Sequence, residues 1–514
     1  YDMSETYGKN SSQSIAAIKN MSRVLGSMLR SPYIAQQYVG DYYSNYTSLS
    51  SWLYDMNQMP LSIDEIQIVP YGKAYKDKSA GVFEKVKFSI MRFLISFTMD
   101  YNKVISKNEN STNTVRLWVN WGQDQTAVLN SLIEDDFTRN TGINVHMEIV
   151  SASLINGLLA GNYPDIRLHM SRTEPVNLGM RGALADLRQF DDLDEVLSRF
   201  GDRAEVPYIY RDSLYALPDT QSFFLMFYRT DVFERLGLSV PQTWDEFLHV
   251  STIIQRNNMN VYVPYTKITA ATTVNAGIGS LNLFPTLMSQ NNLSIYNNEK
   301  TATNLLSKKA ISVFNSWTEI YTEYGFLKEA DFYNRFRVGV MPLGISGYGT
   351  YMTLSSAAPE IQGRWSIALV PGTIGENGSI NRTVAGSGTG CAIVEKSNNK
   401  EAAWEFLKWW TSADTQARYS RNVESALGLL GRTASANVDA VKALTWDSGD
   451  LEIIMEQWSN VREVSEVPGS YYLSRALDQA FWAVVNGDNN SKDALVKWSA
   501  VADEEIERKI KEYY

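Results

Sequence analysis

The sequence is poor in the residues that build cross-links and metal centres. Its 514 residues include one cysteine, Cys391, and three histidines, His146, His169 and His249. A single cysteine supports neither a disulfide framework nor a cysteine-based zinc site, and no histidine stands at the spacing of a metal-binding motif. We therefore expect no metal ion and no cofactor, and we interpret the histidines as core or surface residues.

Long apolar runs and an excess of positive charge are also missing. No stretch long enough to cross a bilayer is free of charged residues, which argues against a membrane span. The formal net charge is -10, from 47 Lys and Arg against 57 Asp and Glu. A net negative charge repels the phosphate backbone of nucleic acids, so we expect no nucleic-acid partner. The length exceeds what one hydrophobic core organises, which predicts two or three domains.

Catalytic motifs are missing as well. The segment Gly386-Ser387-Gly388-Thr389-Gly390 lacks the Gly-Lys-Ser/Thr ending of a phosphate-binding loop, and we interpret it as a flexible crossing. The pairs Asp135-Asp136 and Asp191-Asp192 are adjacent, so their side chains diverge on a helix and indicate solvated faces. We assign no residue a catalytic role. A glycosidase needs only two carboxylates across a cleft and stays the enzyme alternative.

Residues 1–106 differ in pattern from the rest of the chain. Ile18, Met21, Leu25 and Met28 fall at helical spacing, which predicts a small helical region. The segment from Val82 to Tyr101 mixes basic and aromatic residues and fits either a membrane surface or packing within a helical bundle. Residues 107–113 are polar throughout, and we interpret them as a linker.

Beyond the linker, predicted strands alternate with predicted helices. The strands are Val115–Val119, Ile143–Ile149 and Ile166–Met170. Helices lie between them, the second capped by Ser151. This order predicts a parallel sheet with right-handed crossovers. A second α/β region begins near Thr230, where Thr243-Trp244-Asp245-Glu246 forms a capping box.

Five segments in a fixed order carry a family resemblance. They are Phe137 to Val145, Tyr163 to Ile166, Leu217 to Phe247, Phe336 to Tyr348 and Asn399 to Ser412. The most specific part is Pro241-Gln242-Thr243-Trp244-Asp245-Glu246-Phe247. From Asn113 to Tyr514 the sequence resembles the family 1 extracellular solute-binding proteins of ABC importers, and the N-terminal region lies outside the family pattern.

The resemblance implies an α/β fold of the two-lobed, periplasmic-binding-protein-like (type II) class, with discontinuous lobes and a ligand cleft, preceded by the small helical region. One lobe would comprise residues 112–224 and 389–430, and the other residues 225–388 and 431–514. The implied function is extracellular capture of an oligosaccharide by hinge closure, and its delivery to the permease subunits of an ABC transporter, without catalysis.

The resemblance also implies ligand contacts on both lobes and at the crossings between them. They are Trp121, Gln123, Asp124, Arg172 and Glu174 on the first lobe, Gln221, Ser222, Phe223, Gly386 and Ser387 at the crossings, and Tyr348, Tyr351, Tyr471, Tyr472 and Arg475 on the second lobe. Aromatic faces would stack on sugar rings, and charged groups would bind hydroxyls. Each contact has an alternative in ordinary packing or a local ion pair. Trp244, Trp404, Trp409 and Trp410 are assigned to the core.

The same resemblance implies a location and an assembly state. We expect a monomer at the outer cell surface, a Gram-positive lipoprotein whose signal and anchor are not in this sequence, since Tyr1 is not an initiator methionine. The alternatives are a non-transporting cell-surface glycan-binding module and a polysaccharide-degrading enzyme. A missing permease gene nearby would favour the first, and sugar turnover the second.

Overall fold

The computed structural model describes residues 12–30, 113–151, 153–265, 283–447, 449–487 and 489–513. The chain forms two compact units, Tyr1–Met99 and Asp100–Tyr514. In the first unit, helix α1 (Ser12–Arg30) contains the predicted helical stripe. The segment from Val82 to Tyr101 and linker residues 107–112 lie outside the described residues. Within the described ranges, no helix combines the length and the apolar character needed to cross a bilayer.

Short strands and helices alternate along the second unit. Its strands are β1 (Thr114–Val119), β2 (Asn144–Ile149), β3 (Ile166–Ser171), β4 (Ile209–Tyr210), β5 (Ser213–Leu214), β6 (Leu217–Ser222), β7 (Phe224–Tyr228), β8 (Val261–Tyr262), β9 (Leu343–Gly347), β10 (Ser366–Ala368), β11 (Thr373–Ile374), β12 (Ile380–Asn381), β13 (Val384–Ala385), β14 (Ser387–Ile393) and β15 (Val461–Arg462). Its α-helices are α2 (Gln123–Leu132), α3 (Arg139–Thr141), α4 (Leu154–Ala160), α5 (Glu174–Gly179), α6 (Leu193–Leu197), α7 (Thr230–Leu236), α8 (Trp244–Arg256), α9 (Phe284–Gln290), α10 (Lys308–Thr322), α11 (Phe332–Arg337), α12 (Gly349–Ala357), α13 (Lys400–Trp410), α14 (Ala413–Leu427), α15 (Val438–Lys442), α16 (Asp450–Ser459), α17 (Ser470–Val485) and α18 (Ser491–Tyr513).

The first lobe is built on a mixed sheet with the strand order β2-β1-β3-β14-β6. Strand β1 pairs in parallel with β2 and β3, which confirms the predicted strand-helix alternation. Strand β14 pairs antiparallel with both β3 and β6, so a strand from late in the chain completes this sheet. Helix α13 covers it because its apolar residues recur at helical spacing, and Trp404, Phe406 and Trp410 are buried in the same core.

The second lobe is built on a sheet with the strand order β10-β7-β9-β8. Its core is aromatic, and the Trp317 ring lies 5.6 Å from Phe284 and 4.6 Å from Phe481. The predicted capping box begins α8. The Thr243 hydroxyl accepts a hydrogen bond from the amide of Glu246 at 3.3 Å, and the Glu246 carboxylate accepts one from the amide of Gln242 at 2.6 Å.

The described chain crosses between the lobes at three places. Phe223 separates β6 from β7, and Gly386 separates β13 from β14. The third crossing follows α14 and runs beside β6, where Ser435 forms a bridge with Thr220. Phe224 pairs within the second sheet, and Ser387 and Gly388 pair within the first. These crossings lie within a few residues of the predicted lobe limits, which stay a prediction.

Two local predictions are wrong. Ser153, not Ser151, is the N-cap of α4, because the Ser153 backbone is extended and the chain turns helical at the buried Leu154. In the segment from Gly386 to Gly390 only Gly386 lies at a crossing, since Ser387 to Gly390 belong to the paired strand β14. A Cβ on Gly388 would collide with the backbone carbonyl of Thr220, so glycine allows close approach of the two strands.

Two aspartates predicted on solvated faces instead anchor helix α13. Asp192 accepts hydrogen bonds from Trp404 Nε1 at 2.6 Å and from Lys408 Nζ at 2.7 Å. Asp136 accepts one from Trp409 Nε1 at 3.0 Å. The hydrogen bond from Lys408 lowers the pKa of Asp192. These contacts hold α13 against the first sheet, where Trp404 and Trp410 are buried as predicted.

Candidate functional site

A cavity of about 310 Å³ lies at one edge of the first sheet, and we name it the Trp121 cavity. Asn120 and Trp121 follow β1 directly, at the carboxyl end where open α/β sheets bind ligands. The other lining residues are Gly122, Gln125, His169, Asp219, Thr220, Trp410, Gln416, Tyr419 and Thr433. They come from β3, β6, α2, α13, α14 and the third crossing, so distant segments converge on one concave site.

One wall of the Trp121 cavity is aromatic. The Trp121 ring stacks on Tyr419, with centroids 5.5 Å apart and an interplanar angle of 26°. It also contacts Trp410 at 5.7 Å and the His169 ring at 5.9 Å. Trp410 and Tyr419 are buried, whereas Trp121 and His169 are partly exposed. The wall therefore presents a flat surface supported by packed rings, which suits stacking against an apolar ligand face.

The polar part of the cavity lining centres on Asp219. This side chain is 3% exposed, and its carboxylate accepts hydrogen bonds from Trp410 Nε1 at 2.9 Å and from the His169 amide at 3.1 Å. The Thr389 hydroxyl lies 3.2 Å from His169 Nδ1 and 2.7 Å from the Thr220 hydroxyl. Polar groups that can donate or accept thus lie beside the aromatic wall.

His169 has an unusual backbone for a strand residue. Its φ is 55°, in the left-handed region, and the pairing of β3 with β14 shifts register opposite it, between Gly390 and Ala392. A bulge of this kind re-aims a side chain, and such bulges occur next to functional sites. The bond from the His169 amide to Asp219 replaces the strand hydrogen bond that the bulge removes.

Of the predicted ligand contacts Trp121, Gln123, Asp124 and Glu174, only Trp121 is among the residues that line the Trp121 cavity. Gln123 and Asp124 are exposed in the first turn of α2 and are not among the lining residues. The Glu174 carboxylate accepts a hydrogen bond from the Ser171 amide at 3.0 Å, which closes the turn before α5. Ligand contact by these four residues stays a prediction.

Arg172 lies in a buried ion cluster between the lobes. Its guanidinium donates to the Glu463 carboxylate, to Glu466 Oε1 at 3.2 Å and to the Gly386 carbonyl at 3.1 Å. The side chains of Arg172, Glu463 and Glu466 are each at most 3% exposed. We name this group, together with Gln221, the Arg172 cluster. The predicted ligand contacts Arg172 and Gly386 are therefore engaged in holding the lobes together.

Gln221 extends the Arg172 cluster toward the second lobe. Its side-chain amide donates to Glu463 Oε1 at 2.6 Å, and its carbonyl accepts from Trp458 Nε1 at 2.6 Å. The neighbouring crossing is also closely packed, because Phe223 contacts the rings of Tyr348 and Trp458, both 5.6 Å away.

The two strand crossings are tied together at Ser387. Its hydroxyl donates to the Ser222 carbonyl at 3.3 Å. Ser222 is partly exposed, whereas the neighbouring Phe223 is buried. The Ser222 side chain is therefore the more accessible of these two predicted contacts. Ligand contact by Ser222, Phe223 and Ser387 stays a prediction.

The Arg172 cluster contains two acids and one base, and this makes its stability dependent on pH. Burial raises the pKa of Glu466, and the Arg172 charge only partly offsets that effect. A buried acid with a raised pKa holds its proton longer in the folded state, so stability falls as pH rises from about 4.5, the ordinary glutamate value, through the raised folded value.

Replacing Glu466 with glutamine should remove this decline. We expect the free energy of unfolding of Glu466→Gln, relative to the unmodified protein, to increase with pH across that interval, measured by urea denaturation at several pH values. Glu504→Gln, at an exposed position on α18, is the control. A constant difference over the whole interval would contradict the prediction.

The predicted tyrosines of the second lobe do not line the Trp121 cavity. Tyr348 and Tyr351 are buried beneath Trp446, at ring distances of 6.2 and 5.7 Å, and burial raises the pKa of both phenols. Tyr351 donates to Asp450 Oδ2 at 2.8 Å. Within the described residues, the buried Tyr348 hydroxyl has no hydrogen-bond partner.

The predicted contacts on α17 are engaged locally. The Tyr471 hydroxyl bonds to Glu505, and burial together with this carboxylate raises the pKa of Tyr471 to about 12. The Arg475 guanidinium lies 5.5 Å from the centre of the Tyr472 ring. The structure therefore does not bring these three residues together with Trp121, and their contact with ligand stays a prediction.

Sequence reasoning missed most of the Trp121 cavity. His169 was interpreted as an isolated core or surface histidine, and Trp410 was assigned to the core. Trp410 is buried as expected, yet it also lines the cavity. Only the position of Asp219 could have been found from the sequence, since it lies in the family-like segment from Leu217 to Phe247, shortly before the crossing at Phe223. Tyr419 and Gln416 come from a helix whose pattern indicates only amphipathic packing.

No described residues form a group of three or more His, Cys, Asp or Glu arranged to hold a metal ion. The lining of the Trp121 cavity consists of aromatic faces, one buried carboxylate, hydroxyls and amides. This composition is typical of a binding site for a neutral polar ligand.

Family comparison agrees with the two-lobed architecture. A family model described as bacterial extracellular solute-binding protein matches residues 133–446. Because this match spans more than half of the sequence, the chain belongs to that family of bacterial extracellular solute-binding proteins. No curated protein sequence matches the chain.

Solved structures of similar fold are also binding proteins. An ABC transporter solute-binding protein from Thermotoga lettingae, bound to α-D-tagatose, has a TM-score of 0.59 and 20% identity, over 77% of this chain and 100% of its own. The sugar-binding protein MalE from Xanthomonas citri has a TM-score of 0.62 and 17% identity, over 78% and 99%. MalE from Listeria monocytogenes, in complex with maltose, has a TM-score of 0.57 and 16% identity, over 79% and 100%. At these identities the likeness shows the fold, which is the predicted two-lobed, periplasmic-binding-protein-like α/β fold.

Proposed function

We propose that this protein captures an oligosaccharide outside the cell and delivers it to the permease subunits of an ABC importer. The observation that carries the proposal is the Trp121 cavity, where a supported aromatic face lies beside a polar side built on Asp219. Pyranose rings offer the same combination of an apolar face and a polar rim. The ligands bound in two of the similar structures, tagatose and maltose, are sugars and support this choice.

Hinge closure would couple binding to delivery, with the protein acting as a monomer. Ligand in the Trp121 cavity contacts Thr220 in β6 and Thr433 in the third crossing, so it lies next to segments that move when the lobes close. Only interactions that differ between open and closed forms shift that equilibrium. The Arg172 cluster lies at the same crossings and would help hold the closed form together.

A panel of neutral oligosaccharides, amino acids, peptides and phosphorylated compounds tests the assignment. We expect saturable heats in calorimetry, and a raised Tm, with at least one neutral oligosaccharide, because a ligand that binds only the native state stabilises it. The sugar should remain intact after prolonged incubation. Binding confined to amino acids or peptides would refute the sugar assignment, and sugar consumption would refute capture without catalysis.

The Trp121→Ala variant locates the binding site. We expect it to weaken affinity for the identified sugar by about 1–3 kcal/mol, the range for losing a well-packed aromatic contact. Gln189→Ala is the control, because Gln189 is an exposed residue of the first lobe that lies outside the cavity. Equal effects of the two substitutions, measured by calorimetry, would place the sugar elsewhere.

A further inference from the structure

A second cavity, of about 480 Å³, lies on the second lobe, and we name it the Lys300 cavity. Its walls include the segment from Asn292 to Asn298 after α9 and the segment from Arg462 to Ser465, which begins in β15. None of its lining residues lines the Trp121 cavity. It is therefore a separate site, and the proposed sugar capture does not use it.

Positive charge dominates the titratable lining of the Lys300 cavity. The bases are Lys300 and Arg462, and the acid is Glu463. Both carboxylate oxygens of Glu463 already accept hydrogen bonds within the Arg172 cluster, one from Arg172 and one from Gln221. The charge of Glu463 is thus paired with a buried guanidinium and does little to balance the two bases.

The two bases have few partners of their own. Among the described residues, the Lys300 ammonium has no hydrogen bond or ion pair. The Arg462 guanidinium donates to the carbonyls of Ser459 at 3.3 Å and Val461 at 2.8 Å, and its carboxylate neighbour Asp202 is 4.0 Å away and largely exposed. Both bases therefore have donors that remain available to a ligand.

Arg203, a base of the first lobe that is not among the lining residues, also acts on Lys300. Partial burial lowers the pKa of Lys300, and the charge of Arg203 lowers it further, so the two cations lie close enough to repel each other. A cation that is half desolvated beside a like charge is unfavourable unless an anion accompanies it. An anion in the cavity would supply the missing counter-charge.

We propose that the Lys300 cavity binds a small oxyanion, either free phosphate or sulfate or the phosphate group of a larger molecule. Lys300 and Arg462 donate charge-assisted hydrogen bonds to it. The side chains of Asn292 and Ser465, which also line the cavity, supply neutral donors. The volume of about 480 Å³ leaves room for the rest of a sugar-sized molecule around the oxyanion.

Calorimetry on the full chain at fixed ionic strength tests the proposal, with inorganic phosphate, sulfate and glucose 6-phosphate as probes and glucose and chloride as controls. We expect saturable binding of at least one of the three oxyanions. Tighter binding of glucose 6-phosphate than of inorganic phosphate identifies a phosphorylated solute as the ligand, and the reverse order identifies the free oxyanion. An absence of saturable binding for all three overturns the proposal.

Substitutions connect the binding to this cavity. Lys300→Met should raise the Kd for the bound oxyanion about tenfold or more, and Arg462→Gln about fivefold, on the scale of lost charge-assisted hydrogen bonds. Lys300→Arg should keep the Kd within about threefold, because it preserves the charge. Lys309→Met, at an exposed position in the same lobe, is the matched control. An equal loss in Lys309→Met, or no loss in Lys300→Met with its Tm unchanged, overturns the assignment to this cavity.

Discussion

Replacing Arg172 with methionine is expected to lower the free energy of unfolding by about 3–5 kcal/mol, the range for removing one partner of a buried ion pair. The substitution leaves Glu463 and Glu466 buried without their cation, and it also leaves the Gly386 carbonyl without the guanidinium donor. Methionine keeps most of the aliphatic volume, so the loss reports on charge and hydrogen bonding. Urea denaturation at pH 7 measures the effect.

Two further variants separate this effect from general damage. Arg235→Met removes an exposed arginine from α7 and should change stability by about 0.5 kcal/mol or less. Combining Arg172→Met with Glu466→Gln should recover part of the loss, because one of the two unpaired charges is removed. If Arg172→Met is as stable as Arg235→Met, the buried cluster does not hold the lobes together.

The Arg172 cluster also shows where sequence reasoning reaches its limit. The alternation in β3 predicts that the chain leaves the sheet near Arg172, and family resemblance places that loop at the cleft. Glu466, its partner, is 294 residues further along the chain. No local pattern records such a pairing, so the sequence does not predict this inter-lobe contact, and ligand contact by Arg172 stays a prediction.

Local rules worked where the determining contacts are local. The strands β1 and β2 follow from alternating apolar residues, and the capping box at Thr243 forms within one turn of helix. They failed at Ser151 and at Ser387 to Gly390, where tertiary packing decides. Helix α4 begins where Leu154 becomes buried, and Gly386 and Gly388 are small because Glu463 and the Thr220 carbonyl approach them closely.

The Trp121 cavity contains one feature that local sequence patterns predict and another that depends on tertiary packing. The position of Trp121 at the end of β1 could be predicted, since a parallel sheet presents its carboxyl ends to the ligand. The wall behind Trp121 could not, because Trp410 and Tyr419 reach the cavity only after α13 and α14 pack on the first sheet. Buried tryptophans in an amphipathic helix indicate a core, and the sequence alone does not show that this core borders a cavity.

Replacing Asp219 with alanine should lower the free energy of unfolding by about 2–4 kcal/mol. The carboxylate accepts hydrogen bonds from Trp410 Nε1 and from the His169 amide, and each buried donor that loses its acceptor costs about 1–3 kcal/mol. Because the same bonds fix Trp410 and His169 in the wall of the Trp121 cavity, affinity for the captured sugar should also fall, by about tenfold. Urea denaturation and calorimetry measure the two effects.

Asp219→Asn separates the acceptor role from the charge. Asparagine keeps one carbonyl oxygen for Trp410 Nε1, but its amide nitrogen faces the His169 amide, which is also a donor, so we expect an intermediate loss of stability. Asp212→Ala removes an exposed aspartate from the turn between β4 and β5 and should leave both stability and affinity unchanged. Should Asp219→Ala lose stability and still bind sugar as tightly as Asp212→Ala, the carboxylate supports only the fold and the ligand lies outside the Trp121 cavity.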